Sequence, residues 1–151
     1  MRKIIYTRPD GGLSVVGPVI NTTPPEQITE AQAEQRAWAK LPKDAINPRF
    51  VEESEVPTDR AFRNAWVDTG TVAVDMPKAR EIHKDNLRRQ RAPLLVSLDV
   101  DYQRADERGD TAEKARVAAK KQALRDATAD PSIAAAKTPE ELKAAIPEAL
   151  K

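Results

Sequence analysis

The pattern of apolar positions is clearest in the second half of the chain, where it has the period of an α-helix. Apolar or small side chains recur along one helical stripe from Met76 to Ala105, which predicts a long helix. Asp75 is placed to cap this helix, and Pro77 lies in the first turn, where a missing N–H costs nothing. Pro93 falls inside the stripe, and because the stripe continues past it we predict a kinked helix rather than two separate ones.

A second helix is predicted directly after the first. Gly109 is a typical helix end, and Asp110 with Glu113 forms a capping pattern for a helix that runs to about Ala127. The apolar arc of this helix consists mostly of small side chains, which allow close approach to the first helix. We therefore expect the two helices to form an antiparallel helical hairpin over residues 75–128. The arc consists of Ala112, Ala115, Ala119 and Ala123, flanked by Val117 and Leu124.

The N-terminal residues predict a β-hairpin. Residues 3–7 and 13–16 are rich in β-branched and apolar side chains. Residues 8–12, Arg-Pro-Asp-Gly-Gly, form a turn sequence in which proline sets φ and glycine accepts positive φ. An isolated hairpin is marginally stable in water, so this one must pack on other elements or on another chain. The segment from Asn21 to Pro25 is interpreted as a loop.

Shorter elements follow in the proline-rich part of the first half. Thr29 is placed to cap a helix that runs to about Leu41. Residues 49–53 are predicted to form a strand bracketed by Pro48 and Pro57. These prolines favour stiff, extended connections between the short elements.

Two further elements precede the long helix. Thr58 or Asp59 is placed to cap a short helix that carries Phe62 and Trp66. Residues 72–74, Val-Ala-Val, are predicted to form a strand.

At the other end of the chain, Thr138 and Pro139 are typical of a helix start, and Pro147 is expected to end that short helix. The sequence thus predicts a mainly α protein with a small β part, in which a β-hairpin and an extended proline-rich segment precede the helical hairpin and a short C-terminal helix. The predicted segments are an N-terminal part at 1–74, the hairpin at 75–128 and a tail at 129–151.

Composition limits the core and the kinds of site that the chain can build. Aromatic residues make up 4% of the 151 residues and charged residues 32%, so few large side chains are available for burial. We therefore expect a modest core that is stabilised by partner proteins. The net charge is +1, and the absence of cysteine excludes disulfides and thiolate metal sites. No apolar run reaches the ~20 residues of a membrane-spanning helix, so no membrane association is expected.

Candidate chemistry is sparse. His83, the sole histidine, falls on the apolar stripe of the long helix, where a role in packing or partner contact is expected. Asp99 and Asp101 resemble a metal-binding carboxylate pair, but side chains two residues apart on a helix diverge. We predict no catalytic residue, no metal site and no cofactor, and hence a protein that is not an enzyme.

The first half of the long helix, residues 78–91, is basic. A nucleic-acid-binding helix would gather this charge on one face with aromatic residues nearby. Here the basic residues spread around the helix and no aromatic lies among them, which favours a solvated or protein-facing surface. Nucleic-acid binding through this helix is retained as an alternative.

Seven residues are predicted as candidate partner contacts, and the tryptophans among them belong to a residue type that is enriched in interface anchors. They are Trp38, Phe62, Trp66, His83, Leu87, Arg88 and Arg91.

Three stretches together resemble small tail-module proteins of tailed bacteriophages. They are Pro57-Thr-Asp-Arg-Ala-Phe-Arg-Asn-Ala-Trp66, Asp75-Met-Pro-Lys-Ala-Arg-Glu-Ile-His83, and Gln122-Ala-Leu-Arg-Asp126 followed by Thr138-Pro-Glu-Glu-Leu142. Some members of this group resemble tail-fibre assembly chaperones, whose C-terminal parts carry a similar Gln-Ala-Leu-Arg-Asp segment. The hairpin turn sequence also suits the group.

This resemblance implies a non-enzymatic structural or assembly protein without catalytic residues. Its expected partners are other phage virion proteins of the tail, tail fibre or baseplate, in several copies, either in the virion or in the host cytoplasm during assembly. The Trp-Pro pair associated with the chaperones is replaced by Ala145-Ile146-Pro147. A stable virion component and a transient tail-fibre assembly chaperone therefore both stay open.

Overall fold

The computed structural model describes residues 1–20 and 27–151 and divides them between two compact units, Met1–Asp75 and Met76–Lys151. The fold is mainly α with small antiparallel sheets in the first unit and a long helical hairpin in the second, as the sequence predicts. The loop predicted from Asn21 to Pro25 lies outside the described residues.

A three-stranded antiparallel sheet organises the first unit, with the strand order β2-β1-β3. Its strands are β1 at Lys3–Thr7, β2 at Leu13–Val16 and β3 at Ile46–Val51. The predicted hairpin is confirmed, and its turn is closed by hydrogen bonds from the Gly11 amide to the Arg8 carbonyl at 2.9 Å and from the Arg8 amide to the Gly12 carbonyl at 2.8 Å. Gly11 has a φ of 78°, which is the conformation that glycine adopts at least cost.

The third strand differs from its prediction. It begins at Ile46 rather than at residue 49 and includes Pro48, which had been expected to lie outside it. Proline is tolerated because β3 is an edge strand. The register against β1 shifts between Ile5 and Thr7, and Asn47 has a positive φ of 49° at this bulge.

Helix α1, Glu30–Ala39, covers one face of the sheet. Neighbouring residues of a strand point to opposite faces, and Ile4 and Ile5 are both fully buried, so both faces of β1 are covered. The α1 side is the Ile4 face, because the strand partner of Ile4 is Phe50, whose ring stacks on Trp38 of α1 at a centroid distance of 4.9 Å.

The other face is covered by a second hairpin, whose strands are β4 at Trp66–Asp68 and β5 at Val72–Val74. Trp66 packs with Ile5, Leu13 and Val51 in a buried cluster. The predicted strand at residues 72–74 is confirmed.

The prediction of a short helix that carries Phe62 and Trp66 is wrong. The Asp59 carboxylate accepts a hydrogen bond from the Ala61 amide at 2.9 Å, which forms a local turn rather than a helix cap. A 3₁₀ turn at Arg63–Ala65 follows, and Trp66 begins a strand. Burial of the indole on the sheet outweighs the local capping signal.

An ion pair joins β3 to β4. The Arg49 guanidinium donates to both carboxylate oxygens of Asp68, at 2.9 and 2.8 Å, and to the carbonyl oxygen of Gly70 at 2.8 Å. These hydrogen bonds from Arg49 hold the pKa of Asp68 below its usual value of 3.8.

The second unit is built on helix α2, Met76–Glu107, and the antiparallel helix α3, Thr111–Asp126. As predicted, α2 starts directly after Asp75 and is a single helix through Pro93. Two short helices follow, of which the first lacked any prediction: α4 at Pro131–Ala135 and α5 at Pro139–Ala144. The last helix therefore ends before Pro147, contrary to the expectation that it would run to that residue.

Local capping signals were reliable for three helix starts. In each, the side chain of the predicted capping residue accepts a hydrogen bond from the backbone amide three residues later. The pairs are Thr29 with Gln32, Asp110 with Glu113 and Thr138 with Glu141.

The face that α3 turns toward α2 is not the predicted alanine arc. Val117 and Leu124 are buried, whereas Ala112, Ala115, Ala119 and Ala123 are exposed.

Long polar side chains of α3 complete the contact. The ammonium groups of Lys114 and Lys121 lie 5.4 and 5.2 Å from the ring centroid of Tyr102 on α2. Lys114 forms an ion pair with Asp106 and Lys121 with Asp99, and both aspartates lie on α2. The hydrogen bond to Asp106 raises the pKa of Lys114. The stems of these lysines fill space that alanine cannot, which turns the alanines outward.

No helix in residues 1–20 and 27–151 is both long and apolar enough to cross a membrane.

Replacing Asp68 with asparagine tests the link between β3 and β4. We expect a loss of about 1 kcal/mol of unfolding free energy at pH 7, after allowance for partial exposure of the pair. Because the pKa of Asp68 is lowered on folding, its contribution is present above pH 3.8 and is lost as the pH falls through its folded pKa. Urea unfolding should thus show a difference from the unchanged protein that shrinks in acid. Asp44→Asn, in an exposed turn, is the control, and an equal loss there would contradict the assignment.

The charged contact between α2 and α3 predicts that Lys121→Glu costs about 1 kcal/mol, since it places a second negative charge beside the partly exposed Asp99. The exchanged pair Asp99→Lys with Lys121→Glu should recover at least half of that loss in thermal unfolding. Additive losses in the exchanged pair would show that the ion pair contributes nothing.

Candidate protein-binding surfaces

Two of the predicted partner-binding residues, His83 and Leu87, are buried on α2. The Nε2 of His83 lies 2.9 Å from the carbonyl oxygen of Ala145, so this nitrogen carries the proton and donates it. Leu87 is 2% exposed. Both side chains pack within the second unit, so of the two roles expected for His83, packing or partner contact, the structure shows packing.

Arg91 also has a structural role. Its guanidinium donates to the carbonyl oxygens of Leu124 and Arg125 at 3.2 and 2.6 Å. These carbonyls lie in the last turn of α3, where backbone acceptors lack helical partners and a positive charge is favourable. Arg88 keeps its exposure and forms an ion pair with Asp85 at 2.5 Å.

The three aromatic candidates separate by burial. Phe62 and Trp66 are each 4% exposed, whereas Trp38 is 38% exposed. Side chains as buried as Phe62 and Trp66 cannot anchor a partner in this conformation, and this corrects their assignment. Trp38 is the aromatic candidate that stays accessible.

A small cluster surrounds Trp38. The Phe50 ring stacks on the indole of Trp38, and it also contacts the guanidinium of Arg2, whose carbon lies 4.4 Å from the Phe50 centroid. Arg2 also donates to both carboxylate oxygens of Glu34, and these hydrogen bonds lower the pKa of Glu34. Together these side chains line a shallow surface hollow of about 340 Å³.

The sequence prediction missed an exposed apolar surface on α2. Val96 and Val100 are 65% and 43% exposed, and their spacing of four residues places them on one face of the helix. We call them the outer α2 surface. The signal lay in the run Pro-Leu-Leu-Val-Ser-Leu-Asp-Val at residues 93–100, which is apolar on more sides than one buried stripe requires.

A groove of about 400 Å³ also runs between α2 and α3. Leu94, Leu98 and Leu124 provide its apolar walls, and Lys120 provides charge at its rim. The exposed alanines of α3 form an outer α3 surface, defined as Ala112, Ala115, Ala119 and Ala123, of which Ala123 also lines the groove. Small side chains of this kind let another helix approach closely.

The basic half of α2 is partly neutralised within its own unit. Lys84 pairs with Glu81 at 2.9 Å, and Arg80 donates to the Ala136 carbonyl at 2.8 Å. Arg88 is ion-paired as well, and the guanidinium groups of Arg80 and Arg91 are held by carbonyl oxygens, so fewer cationic side chains are free to bind phosphates than the sequence suggests.

In the two described ranges, no group of three or more histidine, aspartate or glutamate side chains is arranged to hold a metal ion. Comparison of the chain with protein-family models, with curated proteins and with solved structures gives no match in any of the three.

Truncation distinguishes the buried leucine from an exposed one. Leu87→Ala should reduce the unfolding free energy by about 2–5 kcal/mol, because it leaves a cavity beside α2. Leu94→Ala removes the same atoms from a side chain that is 44% exposed and should cost less than about 1 kcal/mol. Denaturant unfolding followed by circular dichroism measures both. Equal losses would contradict the core role of Leu87.

Proposed function

We propose that this protein is a non-enzymatic structural or assembly protein of a tailed bacteriophage. It binds other virion subunits of the tail, tail fibre or baseplate through its helical hairpin and its N-terminal unit. It acts in several copies, in the virion or in the host cytoplasm during assembly.

The outer α2 surface carries this proposal. Valine side chains that stay 65% and 43% exposed are unfavourable in water, and a protein partner that covers them removes that cost. The outer α3 surface supports the same conclusion, since its small side chains allow close helix packing. Two accessible faces on one hairpin suit a subunit that contacts more than one neighbour.

The resemblance to phage tail-module proteins supports the choice of assembly. Its stretches are structural in character, and they supply elements rather than reactive groups. Trp66 is the centre of a core cluster, and Thr138 caps α5.

The chaperone alternative differs in when the contact is broken, since a tail-fibre assembly chaperone leaves before the particle is complete. The nucleic-acid alternative is weakened by the ion pair of Lys84 and the backbone contacts of Arg91. Its expected signature is salt-dependent binding to DNA that is lost on charge reversal at Arg88, Arg89 and Arg91.

Mass spectrometry of purified particles from cells that produce the chain tests the proposal. We expect the protein in particles at a constant ratio to tail subunits, and we expect Val96→Asp to reduce that ratio at least tenfold without unfolding the protein, because a buried unpaired carboxylate is costly. Ala118→Asp adds the same charge at another exposed helical position and should leave the ratio unchanged.

Other outcomes separate the alternatives. A protein that is absent from particles but copurifies with unassembled fibre or tail subunits is a chaperone. A monomer that is found with neither overturns the proposal.

A further inference from the structure

One edge of the sheet in the first unit is open. Strand β2 is terminal in the order β2-β1-β3, and among residues 1–20 and 27–151 it pairs with β1 alone. The turn bond from Arg8 to Gly12 fixes the ladder, so that the next hydrogen-bonded pair is Tyr6 with Ser14. The amide and carbonyl of Val15 therefore point away from β1, and neither has a hydrogen-bond partner in the described part of the chain.

A cleft lies along this edge. It has a volume of about 200 Å³ and is bounded by β2 on one side and by the segment from Arg60 to Trp66 on the other. A second hollow of about 440 Å³ shares Val15, Arg60 and Trp66 with the first. It is also lined by Gly17 and by Lys3 and Glu53, which form an ion pair with each other at 3.1 Å. Strand β2 has four residues, so a segment that pairs along its whole length spans about 14 Å at ~3.4 Å per residue.

The lining of the cleft is positive. Arg8, Arg60 and Arg63 all face it. Arg8 is held by the Asp10 carboxylate at 3.1 Å. Arg60 and Arg63 are exposed, and neither forms an ion pair within the two described ranges. Two uncompensated guanidinium groups beside free backbone groups suit a ligand that combines carboxylates with an extended main chain.

We propose that the β2-edge cleft binds an acidic, extended segment of a partner protein, which joins the sheet as a fourth strand. The amide and carbonyl of Val15 form ladder hydrogen bonds with the main chain of that segment, and Arg60 and Arg63 bind its carboxylates. This inference rests on the proposed function and names the chemistry of one partner.

A short peptide tests it with the full-length protein. The probe is a fluorescently labelled nine-residue peptide of alternating glutamate and threonine, followed by anisotropy at low salt. We expect saturable binding that weakens at least tenfold in the double variant Arg60→Glu with Arg63→Glu. The matched control, Arg36→Glu with Lys40→Glu, reverses two exposed charges at the C-terminal end of α1 and should change the affinity less than twofold.

Two further peptides examine strand addition itself. A glutamate–threonine peptide that is N-methylated at every second residue, on the edge facing β2, keeps its charge but cannot donate ladder hydrogen bonds. We expect it to bind at least tenfold more weakly than the unmethylated peptide. The second peptide carries lysine in place of each glutamate, and we expect it not to bind.

Equal affinity of the methylated peptide would overturn strand addition, and equal loss in the α1 control would reduce the effect to general charge attraction. Absence of binding at 1 mM peptide would overturn the site as a whole. None of these results affects the content of purified particles, so failure here is distinct from failure of the proposed function.

Discussion

The contact between α2 and α3 sets what the second unit can present to its surroundings. Two lysine stems and a tyrosine ring lie between the helices, where the pattern of small residues had suggested bare alanine packing. Since one face of α3 carries both the lysines and the buried Val117 and Leu124, the alanine face must turn outward. The same geometry leaves Val96 and Val100 of α2 uncovered. A hairpin joined by charged side chains therefore leaves its small and apolar residues for other proteins.

Elements that depend on neighbouring residues could be predicted from the sequence. The turn at Gly11 and the caps at Thr29, Asp110 and Thr138 are each decided within about four residues, and all four are present. Elements decided by distant contacts were missed. Trp66 lies in a strand because the indole is buried against Ile5, and the residues next to Trp66 in the sequence do not indicate this distant contact.

The candidate site was less predictable than the fold, because residue type does not tell inward from outward. Leu87 and Val96 are similar in the sequence, yet one is 2% and the other 65% exposed. Arginine is equally ambiguous, since Arg91 donates hydrogen bonds to carbonyl oxygens of α3 whereas Arg60 lines the cleft beside β2. The cleft beside β2 joins residues separated by about fifty positions, and only the folded sheet brings them together.

The bulge at Asn47 and Pro48 makes the two edges of the sheet unequal. On β3, a positive φ is followed by a residue without an amide hydrogen, so that edge is irregular and lacks one donor. The β3 edge is therefore a poorer template for an added strand than the β2 edge, so we expect further strands to join this sheet on one side.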